Sequence, residues 1–111
     1  MTSIEGDGEL AVVRIGADRL DAAVTPAFKS ALDEQLPAET RQVILDASGV
    51  GFVDSTGLGA IVGLMKRLPE GGTLVVASAQ QPLRRLLQVT GLDGLFQQFD
   101  NVEEARAALG R

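Results

Sequence analysis

The chain has no cysteine, no histidine, no tyrosine and no tryptophan. Without cysteine there are no disulfides and no thiolate metal sites, which suits a cytoplasmic protein. Without histidine there is no Ser-His-Asp triad and no imidazole general base. A zinc site would need carboxylates alone, which zinc rarely accepts. Stacking on nucleic-acid bases would fall to 4 phenylalanines. The net charge of −5 would repel a phosphate backbone, so no direct nucleic-acid contact is expected. Apolar runs are too short to cross a bilayer, and no basic-then-apolar leader opens the sequence. No membrane insertion is therefore expected.

What is present fits a globular domain. Hydrophobic residues make up 45% of the 111 positions and charged residues 23%. That length predicts one domain over residues 1–111 with a single core. An acidic domain with no visible cofactor site is expected to bind another protein, to need no cofactor, and to be a monomer and not an enzyme.

Pattern and turn chemistry then place the elements. Gly6-Asp7-Gly8 reads as a hairpin turn between Ile4 and a strand over Leu10–Ile15. Asp18 to Asp21 reads as a polar connection. Thr25-Pro26 should open a helix, with Thr25 as its cap, and Pro37 should end it. Val43-Ile44-Leu45, closed by Asp46, suits a central strand covered on both faces. A helix is expected from about Ser55 to Arg67, capped by Asp54 or Ser55, with Leu58, Ile61, Val62 and Met65 inward. Thr73–Ala77 should be another buried strand. A helix near Pro82 should turn Leu83, Leu86 and Leu87 inward and end at Gly91. A last edge strand falls within Leu95–Phe99. Asp100 with Glu103 resembles a capping box for a final helix. Strands alternating with helices predict an α/β fold: a mixed four- to five-stranded sheet packed with about four helices.

Asp54-Ser55-Thr56-Gly57-Leu58-Gly59 is the informative segment. A phosphate on Ser55 would meet the free amides of a helix start, where the dipole favours it by about 0.3–1 kcal/mol. It would also lie beside Asp54, which repels it. A partner surface matched to the neutral hydroxyl would reject that charge. From Gly57 to Met65 no side chain is polar, and a helix apolar all round is either buried or meets a partner. Its three glycines, Gly57, Gly59 and Gly63, each cost up to about 1 kcal/mol relative to alanine. Serine at a helix start is most often only a cap, and glycine in a helix most often serves internal packing.

Leu45-Asp46-Ala47-Ser48-Gly49-Val50 followed by Phe52-Val53-Asp54-Ser55-Thr56-Gly57-Leu58-Gly59 resembles the signature of the anti-sigma factor antagonists, within the STAS domain family. Arg19-Leu20-Asp21-Ala22-Ala23, Gly71-Gly72-Thr73-Leu74-Val75-Val76 and Thr90-Gly91-Leu92 fall in the order that family has, so the resemblance spans nearly the whole chain. It implies a single STAS-like domain. It also implies that Ser55 is phosphorylated by an anti-sigma factor serine kinase and restored by a phosphatase, and that phosphorylation ends binding to that kinase. By the same resemblance Asp21 lies close to Ser55. The partner-binding set is then Asp21, Asp54, Ser55, Thr56, Gly57, Leu58 and Gly59. One departure is that Val24, with Thr25 one later, stands where the family often has Thr or Asn, which leaves the local cap open.

Rival readings fit less well. A dinucleotide turn at Gly57-Leu58-Gly59 fails because the next glycine, Gly63, comes one position late, and because roughly ten residues separate it from Leu45. A serine hydrolase lacks an activating base for Ser55 and the Gly-x-Ser-x-Gly elbow. Thr56 as the modified residue is a minor variant. The remaining alternative is a STAS domain that serves as a structural subunit of a lipid-transport ABC complex or of a stress-signalling assembly.

Overall fold

The structure is a computed structural model that describes residues 2–6 and 8–110. A hairpin of β1 (Ser3–Gly6) and β2 (Leu10–Arg14) leads to a two-residue strand, β3 (Arg19–Leu20), and helix α1 (Thr25–Gln35). Then come β4 (Gln42–Asp46), another two-residue strand β5 (Phe52–Val53), and helix α2 (Ser55–Lys66). The chain ends with β6 (Thr73–Ala77), α3 (Gln81–Val89), a 3₁₀ turn, β7 (Gln97–Phe99) and α4 (Val102–Ala108). The central sheet has 5 strands in the order β1-β2-β4-β6-β7, parallel except for the antiparallel β1. The expected mixed sheet and four helices are therefore observed. Asp7, at the expected hairpin turn, lies outside the described residues.

Strand periodicity divides the core in two. Val13, Val43, Leu45, Leu74 and Val76 point to one face, where they pack with Phe28 and Leu32 of α1, Leu58, Ile61 and Leu64 of α2, and Leu83 and Leu87 of α3. Leu10, Val12, Ile44, Val75 and Ala77 point to the other, where Val102 and Ala105 of α4, and Leu109 just after it, cover them. The middle positions of the central strands, Val43-Ile44-Leu45 and Leu74-Val75-Val76, are continuously apolar because both faces are covered.

Four expectations need correction. Asp18 to Asp21 is not merely a polar connection: Arg19–Leu20 pairs in parallel with Phe52–Val53, in register Arg19↔Phe52 and Leu20↔Val53. Two residues are too few for periodicity to reveal a strand. Thr25 does not cap α1; its hydroxyl is buried without a partner among the described residues. The turn is held instead by Asp21, whose Oδ1 accepts the Ala23 and Val24 amides at 3.1 and 3.2 Å. The cap of α4 is Asn101, whose Oδ1 accepts the Glu104 amide at 2.8 Å, and not Asp100. The buried residues of α2 are Gly57, Leu58, Ala60, Ile61 and Leu64, while Val62 and Met65 are half-buried. In a helix apolar all round the inward stripe is ambiguous by one position. Here packing of α1 against α2 draws Ala60 and Leu64 inward.

Candidate functional site

The site begins where β5 ends. Asp54 has extended backbone (φ −106, ψ −175) and is the N-cap of α2. Its Oδ1 accepts the Gly57 amide at 3.0 Å. Its Oδ2 accepts the Ala22 amide at 3.3 Å, which ties the helix start to the segment after β3. The Asp54 amide itself donates to the Leu20 carbonyl. The carboxylate next to Ser55 in the chain thus has both oxygens hydrogen-bonded.

Ser55 and Thr56 are exposed at the first turn of α2. Gly57 is buried, and a Cβ there would be driven into the Leu20 carbonyl oxygen. Glycine at this position is a condition for α2 to lie against β3. Leu58, at 7% exposure, belongs to the core. Gly59 and Gly63 are exposed, and a Cβ at either would meet nothing within 4 Å. The outward line of α2 is therefore Ser55, Thr56, Gly59, Gly63 and Lys66, with bare backbone at the two glycines.

Asp21 also stands at this end of the molecule. Besides the two amides on its Oδ1, its Oδ2 lies 2.7 Å from Nε of Arg19. Ala22, the next residue, meets the Asp54 carboxylate, so the chain brings the Asp21 segment to the residue beside Ser55. The Arg19 guanidinium stacks over the ring of Phe52, 5.6 Å from its centroid, and Phe52 is itself 48% exposed. Neither Arg19 nor Phe52 was among the sequence candidates. The signal that could have found them is the parallel pairing of β3 and β5, which neither segment reveals alone.

Behind the site, the loop from β4 to β5 is anchored by Asp46. Its Oδ2 meets Nε of Arg14 at 2.8 Å and its Oδ1 accepts the Ser48 amide at 3.0 Å. The Gln80 side chain donates to the Ser48 carbonyl at 2.7 Å. No cluster of carboxylates among the described residues could hold a metal ion, and no helix is long and apolar enough to cross a membrane.

A profile of the STAS domain matches residues 2–105. The chain belongs to the STAS domain family. This STAS domain is 35% identical over 88 residues to the anti-sigma-B factor antagonist of Listeria monocytogenes, covering 78% of this chain and 76% of that one. Its fold superposes on an anti-sigma factor antagonist from Mycobacterium paratuberculosis with a TM-score of 0.87, at 23% identity, over 100% of this chain and 94% of that one. It also superposes on the Bacillus cell fate determinant SpoIIAA in its phosphorylated form, with a TM-score of 0.69 at 22% identity, over 98% and 99% of the two chains. The STAS domain described here is thus of the anti-sigma factor antagonist kind in sequence and in fold.

Proposed function

We propose that this STAS domain works by partner switching: it binds an anti-sigma factor that is also a serine kinase, and phosphorylation of Ser55 ends the complex. A phosphatase then resets it. In this reading Asp21, Asp54, Ser55, Thr56 and Gly59 contribute to the docking surface, while Gly57 and Leu58 fix the helix that presents it. The reading rests on one observation above others. Ser55 is exposed at the head of a helix whose outward glycines, Gly59 and Gly63, answer to no neighbour within 4 Å. Helical glycine costs up to about 1 kcal/mol relative to alanine, and internal packing does not account for these two. A partner that approaches the helix backbone closely does account for them.

The chemistry fits the same reading. Transfer from ATP breaks the bond between the γ-phosphorus and its bridging oxygen, releases ADP and forms the bond to Oγ of Ser55. The hydroxyl proton needs an acceptor, and this chain has no histidine to supply one. The kinase supplies it. The product dianion lies beside the fixed Asp54 carboxylate, and a surface shaped around a neutral hydroxyl rejects it. A relative that carries the phosphorylated form on the same fold is in keeping with this.

The deciding experiment uses the ATPase of histidine-kinase type encoded nearest this chain. Incubated with it and ATP, the protein gains the mass of one phosphoryl group, and Ser55→Ala gains none. A Ser55→Ala protein that is still labelled to the same extent overturns the assignment.

A further inference from the structure

Two carboxylates at the end of the molecule that carries Ser55 are both hydrogen-bonded: Asp54, next to Ser55 in the chain, to the Gly57 and Ala22 amides, and Asp21 to the Ala23 and Val24 amides. A dianion on Ser55 adds to the negative charge already held at this end. A cation at this end is Arg19, paired to Asp21 at 2.7 Å and stacked over Phe52, three residues before Ser55. Its side chain is 55% exposed, whereas that of Asp21 is 14% exposed. The arginine is thus the partner that can reorient, while Asp21 stays held by its two amides. A phosphoryl group offers an arginine more charge and a bidentate geometry.

We propose that Arg19 is the internal counter-ion of the phosphorylated state: on modification of Ser55 its guanidinium leaves Asp21 for the phosphoryl oxygens, pivoting on the Phe52 ring. This rests on the reading that Ser55 is the modified residue. Arg19 is a positioning residue for that group. Asp21 keeps its two amide bonds when the arginine leaves, so the start of α1 is undisturbed. The consequence is a phosphorylated form that is less repelled by its own surface and persists longer.

The test needs no kinase. Phosphoserine is installed at position 55 during translation, and the protein is followed by phosphorus and nitrogen NMR. The Arg19 Nε–H resonance is expected to move between the serine and phosphoserine proteins. The apparent pKa of the phosphoryl group is expected to rise by about half a unit in Arg19→Gln, a threefold change in proton affinity, with Arg19→Lys between the two. An unmoved Nε–H resonance, or titration curves that coincide for the native and Arg19→Gln proteins, overturns the proposal. Circular dichroism of the exposed-site variants controls for folding. Failure of the kinase to label Ser55 would overturn the proposed function instead, so the two outcomes are separate.

Discussion

At Asp46 two opposing effects meet. Burial, the largest single influence, works against the charged form. The hydrogen bond from Arg14, those from the Ser48 amide and hydroxyl, and the charge of Arg14 together outweigh it, and the carboxyl is held below its ordinary value of 3.8. A group whose folded value is depressed stabilises the fold above its unfolded value, and that contribution is lost as pH falls through the folded value. Asp46→Asn is therefore expected to cost about 1.5–3 kcal/mol at neutral pH, the worth of a charged hydrogen-bonded pair. Urea unfolding across pH checks this: the gap between native and variant should close below about pH 4. A gap that stays constant into acid would mean that the carboxylate's charge is not what matters. Residues such as Ser55 and Asp54 were legible because a motif and a helix start coincide on them. Arg19 and Phe52 were not, because their meeting depends on two strands of two residues each, 33 positions apart in register.

Along α2 the glycines divide by what surrounds them. Gly57 lies against the Leu20 backbone, and any side chain there must push the helix off β3. Gly57→Ala is expected to destabilise by about 1–3 kcal/mol, the usual cost of forcing atoms into a filled space, and to lower partner binding with it. Gly59→Ala and Gly63→Ala meet open space, so the double variant should gain stability, up to about 1 kcal/mol per site, while losing affinity for the anti-sigma factor. Thermal unfolding and a binding titration on the same samples check both halves. A double variant that binds as well as the native chain would show that nothing comes close to this face. The helix itself was legible from composition and from Pro69 beyond it, but its inward stripe was not. Uniformly apolar sequence carries no phase, and α1 sets it by packing on Ala60 and Leu64. Caps were ambiguous for a related reason. Asp100 and Asn101 are adjacent and equally able to cap, and the extended backbone of Asn101 (φ −157, ψ 171) decides between them.

Over the whole molecule, three helices cover one face of the sheet and α4 alone covers the other. That layering could be read from alternating strands and helices, since parallel central strands must be covered on both sides. The end that carries Ser55 is built from segments far apart in sequence: β3 and its following turn, β5, and the head of α2. They are joined by the β3–β5 pairing, by the Asp54 carboxylate on the Ala22 and Gly57 amides, and by Leu20, Val53 and Leu58 in the large core, whereas Ser55 belongs to neither cluster. A charge added at Ser55 therefore falls on an exposed position outside both core clusters. Ser55→Asp is expected to leave unfolding free energy within about 0.5 kcal/mol of the native value, as surface substitutions do. Its amide chemical shifts should differ only at the start of α2, in β3 and β5, and in the turn into α1. Affinity for the anti-sigma factor should nevertheless fall by an order of magnitude or more, since about 1.4 kcal/mol of uncompensated charge in the interface suffices for each factor of ten. If binding falls only together with a general loss of structure, the switch is a change of fold. If it falls with shifts confined to that end, the switch is electrostatic rejection on a fixed scaffold.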